Sequence, residues 1–199
     1  MTLHRPLLSV FLAAGLAACG GNEPAAPVAQ APAASTAAAP AIPAAPAPAA
    51  PTEQATFAGF GDMRFGMDEA AFRQAWGGEL KTQPPAKGST CAYFYPTWSK
   101  TPPDLGFMFE QGKFVRYDVA TAKQAAPGGG KVGMDKSELV RLYGDKGETF
   151  PDKYDPAAST FRVRGEEGAA AVFAIGTDGK VSKWRVGVPP QVDYVEGCQ

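Results

Sequence analysis

Three observations predict an α+β fold built from two tandem repeats, each a short helix packed on an antiparallel sheet of three or four strands. The segment Gly66-Met67-Asp68 through Trp76-Gly77 recurs without a gap as Gly133-Met134-Asp135 through Tyr143-Gly144, 67 residues on. The same offset carries Gly112-Lys113-Phe114-Val115-Arg116-Tyr117-Asp118-Val119 onto Gly179-Lys180-Val181-Ser182-Lys183-Trp184-Arg185-Val186. Within each copy the apolar period changes from helical to strand-like. Two blocks that share one offset point to duplication of a single supersecondary unit, with repeat 1 over 56–126 and repeat 2 over 127–199.

Each repeat opens with a helix of about ten residues. Asp68 and Asp135 stand where a side chain accepts from the free N–H groups of a first helical turn, and Glu138 sits three residues after Asp135, as in a capping box. Phe72, Ala75 and Trp76, and then Leu139, Leu142 and Tyr143, fall at i, i+3, i+4 and form one apolar stripe. Gly77 and Gly144 occupy the position of a left-handed C-terminal cap.

A gap of loop composition follows each helix. Strands are then predicted at Ala92-Tyr93-Phe94-Tyr95 and at Thr160-Phe161-Arg162-Val163. A hairpin comes next in each copy. The first runs from Leu105 to Glu110, turns at Gln111-Gly112 and returns from Lys113 to Val119. The second runs from Ala170 to Ile175, turns around Thr177-Asp178-Gly179 and returns from Lys180 to Val186. A last edge strand is predicted over Val192 to Val195.

Alternation along the returning strands separates two faces. Val115, Tyr117 and Val119 share one side with Ser182, Trp184 and Val186, the set expected beneath the helix. Opposite them lie Phe114, Arg116 and Asp118, with Val181, Lys183 and Arg185, a charged side expected to face solvent and to be free for a partner.

The N-terminus carries an address. His4 and Arg5 precede an uncharged run from Pro6 to Ala18, too short to span a bilayer as a mature helix and closing on small residues, as in a secretory signal over 1–18. Its ending, Leu16-Ala17-Ala18-Cys19, resembles the lipobox of bacterial lipoproteins, which implies acylation of Cys19 and a lipid anchor in the membrane. Gly20 and Gly21 follow where the inner-membrane retention signal of such proteins usually has Asp, so the resemblance implies the outer membrane, with the domain facing the periplasm. Residues 19–55 are mostly Ala and Pro, with Glu23 and Glu53 the only charges. Such a stretch has almost nothing apolar to bury against the entropy of ordering, and is expected to be a disordered, partly polyproline tether. At about 3 Å per residue it reaches on the order of 100 Å.

Composition excludes several function classes. The chain has 19 basic and 20 acidic side chains, and removal of the signal takes one Arg, so the mature protein is slightly acidic, without a basic cluster for nucleic acid. Its single histidine, His4, leaves with the signal. Without imidazole there is no Ser-His-Asp or Cys-His nucleophile and no zinc site of the commonest kind. Two further cysteines, Cys91 and Cys198, form an isolated pair expected to be oxidised in an envelope compartment. Their bridge would close a loop of just over 100 residues and stabilise by roughly 4 kcal/mol in the chain-entropy model.

The order of signals, Gly-Met, helix, aromatic-Gly, aromatic strand and an F-x-F hairpin with Gly-Lys at its turn, resembles the SmpA/OmlA repeat of small outer-membrane lipoproteins. In doubled form it resembles the β-lactamase inhibitor protein family. The matching positions are Gly66-Met67, Gly77, Tyr95, Phe107, Phe109 and Gly112 with their partners in the second copy, over roughly Phe60 to Val186. Three features depart from that pattern: no Pro follows Gly77 or Gly144, no short helix is evident before Gly66, and the cysteine pair joins the repeats, which suggests a rigid pair of sheets. The resemblance implies a helix-layered antiparallel sheet whose other face is a concave protein-binding surface, used by inhibitors to cover an enzyme and by assembly lipoproteins as a scaffold.

The expected function is therefore a non-catalytic, envelope-tethered module that binds another protein, with no cofactor and no metal. Its candidate binding residues are Trp98, Phe114, Arg116, Asp118, Lys183 and Arg185. Trp98 lies in the Pro-bracketed loop from Pro96 to Pro102, where one large rigid side chain supplies contact area at low entropy cost. The alternative is a carbohydrate or peptidoglycan-binding module, with a sugar stacked on Trp98 or Tyr95 beside Asp104 or Asp118. An enzyme would need a carboxylate pair, a Ser-Lys pair or a carboxylate-held metal. The acids are scattered, and Asp152-Lys153-Tyr154-Asp155 lacks the ordered ligand spacing of a calcium loop.

Overall fold

The computed structural model describes residues 54–100 and 102–198. The signal, Cys19 and nearly all of the tether lie outside the described residues, as does Thr101. The chain is α+β, with one three-stranded and one eight-stranded sheet and two short helices. A small meander of β1 (Ala55–Thr56), β2 (Gly59–Phe60) and β3 (Met63–Arg64) comes first. Helix α1 (Glu69–Trp76) leads into β4 (Leu80–Gln83), β5 (Cys91–Pro96), β6 (Leu105–Glu110) and β7 (Lys113–Val119). Helix α2 (Lys136–Tyr143) leads into β8 (Gly147–Pro151), β9 (Ser159–Arg164), β10 (Ala170–Ile175) and β11 (Val181–Gly187).

The large sheet has the order β4-β5-β6-β7-β11-β10-β9-β8 and every pairing is antiparallel. Two four-stranded meanders thus meet at β7 and β11, where Tyr117 faces Val186, Asp118 faces Arg185 and Val119 faces Trp184. One continuous sheet replaces the expected rigid pair of sheets.

The helix termini follow the local chemistry. The Asp68 carboxylate accepts from the Ala71 N–H at 2.9 Å, and Gly77 ends α1 at φ 68°, ψ −3° in the left-handed region. In α2 the Glu138 carboxylate accepts from the Asp135 N–H at 3.1 Å. Gly144 departs from expectation: at φ 55°, ψ −133° it is not a left-handed cap, and the chain continues in a 3-10 turn over Gly144–Lys146.

Each helix is tied back to its own hairpin by the backbone. Gly66 N–H donates to Phe114 O at 2.8 Å and Phe114 N–H to Met67 O at 2.9 Å, while Gly133 donates to Val181 O at 2.8 Å and Val181 to Met134 O at 2.9 Å. Gly66 and Gly133 both have φ 88°, a value that side chains with Cβ rarely adopt.

The core lies on the face covered by both helices and the small meander. Phe72 points from α1 into the rings of Phe107, Phe109 and Phe114, with centroids 5.0, 5.0 and 4.9 Å away. Leu139 and Tyr143 are the buried side chains of α2, whereas Leu142 is 47% exposed. Over two turns only the i, i+4 pair reaches the sheet, and Leu142 falls on the flank, which corrects its assignment to the apolar stripe.

A bulge in each hairpin corrects the assignment of faces. The register slips between Met108 and Phe109 opposite β7, and between Ala174 and Ile175 opposite β11. Phe109 then faces Phe114 and Met108 faces Arg116, which leaves Val115 as the extra residue; Ser182 is left over in the same way. Phe114 and Val181 are consequently in the core, at 0% and 2% exposure, and Val115 and Ser182 are not. Besides the small meander, two strands of the large sheet were not expected, β4 and β8. They are the sheet edges and mostly exposed, so they carry no apolar run to betray them. The predicted strand over Val192–Val195 is instead a 3-10 turn at Gln191–Asp193 followed by a tail.

Replacing Phe72 by Ala should cost about 3–5 kcal/mol in urea unfolding, because its three ring neighbours cannot close the gap, whereas Leu142→Ala should change stability by less than about 0.5 kcal/mol.

Candidate functional site

The second face of the sheet is only partly open, because the chain after β11 folds back across it. Arg116, 3% exposed, donates from Nη1 to the carbonyls of Gln191 and Tyr194 at 3.0 and 2.6 Å. Its Nε and Nη2 grip the Asp118 carboxylate at 3.0 and 2.5 Å. Arg185, 5% exposed, donates from Nε to Val192 O at 2.5 Å. Val192 is itself buried against Ala170 and Val172. The tail ends in a disulfide between Cys198 and Cys91 on β5, with a Cα–Cα distance of 5.2 Å. The oxidised pair expected from sequence is therefore present.

These contacts correct the picture of a solvated charged face. Phe114 belongs to the core, and Arg116 and Arg185 are buried beneath the tail, where they satisfy its carbonyls in place of a ladder strand. Burial opposes the Arg116 charge, but the Asp118 carboxylate outweighs it and raises its pKa above the ordinary arginine value. Arg185 has no carboxylate in its grip. Burial, reinforced by the charge of Arg116, lowers its pKa to about 10. Lys183 alone of the three basic candidates is exposed, and Asp118 keeps 28% of its side chain accessible.

What stays open is a groove of about 420 Å³ over the first meander. Tyr93 and Tyr95 alternate with core residues along β5, so both rings fall on this face, parallel within 6° and 5.5 Å apart. Their hydroxyls are fixed: Tyr93 donates to Asp118 Oδ2 at 3.0 Å and Tyr95 to Gln83 Oε1 at 3.0 Å. Burial first, and then the Asp118 charge, raises both phenols, Tyr95 to about 12. Gly106 leaves room for the Tyr95 ring; a Cβ there would come 2.8 Å from it. Pro102, Pro103, Lys183, Val195 and Glu196 complete the rim.

Trp98 stands outside this lining, 65% exposed, on a loop held by Ser99. Ser99 is 4% exposed; its N–H donates to Pro96 O at 2.9 Å, its Oγ accepts from the Asp104 N–H at 2.9 Å, and its carbonyl accepts from Lys81 Nζ at 3.1 Å. Asp104 likewise lies outside the groove, so of the residues expected to hold a sugar Tyr95 and Asp118 come together there, with Arg116 and Lys183 of the other candidates in the same lining. Gly106 and the course of the tail over Arg116 and Arg185 were not anticipated, although the cysteine pair already placed the end of the tail on a strand of the first repeat. Alternation of Tyr93 and Tyr95 along one strand was the signal available for the aromatic floor.

Asp152 and Asp155 spend their carboxylates on backbone N–H groups of Tyr154, Asp155 and Ala157 at 2.9–3.1 Å. Among the described residues no group of three or more His, Cys, Asp or Glu side chains is disposed to hold a metal, and no helix is long and apolar enough to cross a membrane.

No protein-family model matches the chain, and no curated protein does. Among solved structures it is similar to an extracellular protein containing an SCP domain from Bacillus anthracis strain Ames, at 11% identity and a TM-score of 0.42, over 62% of this chain and 44% of that one. It is also similar to the uncharacterized protein yfeY from Escherichia coli, at 18% identity and a TM-score of 0.44, over 68% of this chain and 97% of that one. The chain thus spans less than half the length of the Bacillus protein.

Two measurements check this face. Replacing both Cys91 and Cys198 by Ser should lower stability by about 4–5 kcal/mol, the chain-entropy value for a closed loop of this length, and should make the last ten or so residues the first site of proteolysis. The raised Tyr95 phenol contributes stability that is present below its unfolded value of 10 and is lost as pH rises through about 12. Arg185 acts in the opposite sense, since its lowered value relieves a burial cost as pH rises above about 10. Tyr95→Phe should therefore make the fall of the urea midpoint between about pH 9 and 12 shallower than in wild type.

Proposed function

We propose that this chain is an envelope-tethered, non-catalytic binding lipoprotein that docks another protein, as an inhibitor or an assembly scaffold. The observation that carries the reading is Trp98, the most exposed of the large apolar side chains described, on a loop whose base is locked by three hydrogen bonds at a buried serine. An aromatic presented this way gives an interface anchor at low ordering cost.

The domain is read as a tandem duplication of the SmpA/OmlA type, with repeats over 56–126 and 127–199. Supporting this, the backbone bonds of Gly66, Met67 and Phe114 have counterparts among residues 67 positions later, and the isolated bridge of Asp68 with Lys113 has its counterpart in Asp135 with Lys180. Acylation of Cys19, an outer-membrane address and an Ala/Pro-rich tether complete the proposal, and they rest on the sequence. No catalytic residue, cofactor or metal enters it.

The test places a photo-crosslinking amino acid at position 98 of the full chain in its own envelope, with position 154 as the control, because Tyr154 is 63% exposed elsewhere. A single discrete adduct from position 98 alone is expected, and Trp98→Ala should weaken binding of the partner so identified by about 30-fold or more, the scale of an interface hot spot. Unchanged affinity in Trp98→Ala would remove this surface from consideration. Mass spectrometry of the mature N-terminus should find acyl chains on Cys19, and an unmodified cysteine would overturn the anchor.

A further inference from the structure

The groove over the first meander is a second site with chemistry of its own. Its floor is the Tyr95 ring, stacked on a Tyr93 ring that is 9% exposed and has Gly197 of the tail close by; both hydroxyls are committed, to Gln83 and Asp118, so the floor offers apolar surface and no free donor. Gly106 makes this floor possible, since any β-carbon there would push the Tyr95 ring off the sheet. The lining holds two cationic side chains, the buried Arg116 and the exposed Lys183, and two anionic ones, Asp118 and Glu196. The charges balance, which favours a neutral ligand over a phosphate, an acidic chain or an amine.

Capacity for hydrogen bonds is nevertheless left over. Among the described residues the Lys183 ammonium has no hydrogen-bond or ion-pair partner. The Asp118 carboxylate receives Arg116 Nε on both oxygens, Arg116 Nη2 and the Tyr93 hydroxyl, and still keeps 28% of its side chain accessible to a further donor. Pro102, Pro103 and Val195 form a small apolar wall at the side. A flat apolar floor with one donor and one acceptor at its edge matches a pyranose ring, whose C–H face lies on an aromatic while its substituents radiate to polar groups. The apolar wall matches an acetyl methyl, with the amide N–H directed to Asp118 and the amide carbonyl to Lys183.

We infer that the groove floored by Tyr95 and Tyr93 binds a neutral N-acetylated hexosamine unit of a glycan. This site is separate from the Trp98 surface and stands or falls without it. Tyr95 is the stacking residue, Lys183 and Asp118 are the polar contacts, and Gly106 is a positioning residue.

The experiment titrates the mature full chain with a β-1,4-linked N-acetylglucosamine tetramer, followed by calorimetry and by the amide and ring signals of the groove in NMR. Wild type should bind, and cellotetraose, which has the same backbone without acetamido groups, should bind about fivefold more weakly or worse. Tyr95→Leu and Gly106→Ala should each weaken binding by about tenfold or more, the first by removing the ring and the second by displacing it. Tyr95→Phe, which keeps the ring, should stay within about twofold of wild type. Trp98→Ala should leave saccharide affinity unchanged. Circular dichroism and the urea midpoint show whether Gly106→Ala still folds, and Tyr95→Leu carries the test if it does not. Absence of tetramer binding by wild type, equal binding by Tyr95→Leu, or equal affinity for cellotetraose would each overturn the inference. Loss of saccharide binding in Trp98→Ala would overturn the separation of the two sites.

Discussion

The ladder between β7 and β11 makes two four-stranded meanders into one sheet, and most of what else is seen depends on it. Each meander alone has a helix on one side and would expose a long returning strand as an open edge. Pairing those two strands removes both edges at once and places Tyr117 and Trp184, 6.0 Å apart in an edge-to-face contact, at the middle of a shared core. The aromatic cluster beneath α1 and the apolar residues beneath α2 thereby become a single buried layer.

Pairing at the centre also brings Arg116, Asp118 and Arg185 together on the opposite face. Two guanidinium groups and one carboxylate form an awkward set, because a buried charge is costly unless its donors are satisfied. The tail resolves this. Three of its carbonyls accept from the two arginines, and in turn those carbonyls need no strand partner. The disulfide holds the end of the tail against β5, so the two faces of the sheet have different fates: one is covered by helices, the other by the chain's own C-terminus.

The tail leaves the first meander more accessible than the centre. There the sheet presents stacked tyrosines over a glycine, and the loop after β5 presents Trp98. Both features follow from β5 having its aromatic residues in a run. Phe94 turns inward to the core, Tyr93 and Tyr95 turn outward, and the strand then passes directly into the loop anchored by Ser99. A candidate interface and a candidate groove thus share one strand as their support.

Much of the fold was legible in residues alone. The helices, both hairpins and the strand β9 follow from capping aspartates, helical apolar spacing and Gly-containing turns, all of which act within a few residues of one another. The cysteine pair followed from composition and from the envelope compartment expected of the N-terminus. Edge strands β4 and β8 escaped because an exposed strand lacks an apolar pattern, and the faces near Phe114 and Val181 were inverted because a bulge shifts alternation by one residue without marking the sequence. The fate of Arg116 and Arg185 was beyond local reading. Each looks like a surface charge until a segment some 75 residues away in one case, and 7 in the other, brings backbone carbonyls over it. Short-range chemistry determined the helices, the hairpins and their order, whereas only the tertiary structure decided which face was left open, because burial of a charge is set by what packs over it and not by its neighbours in the chain.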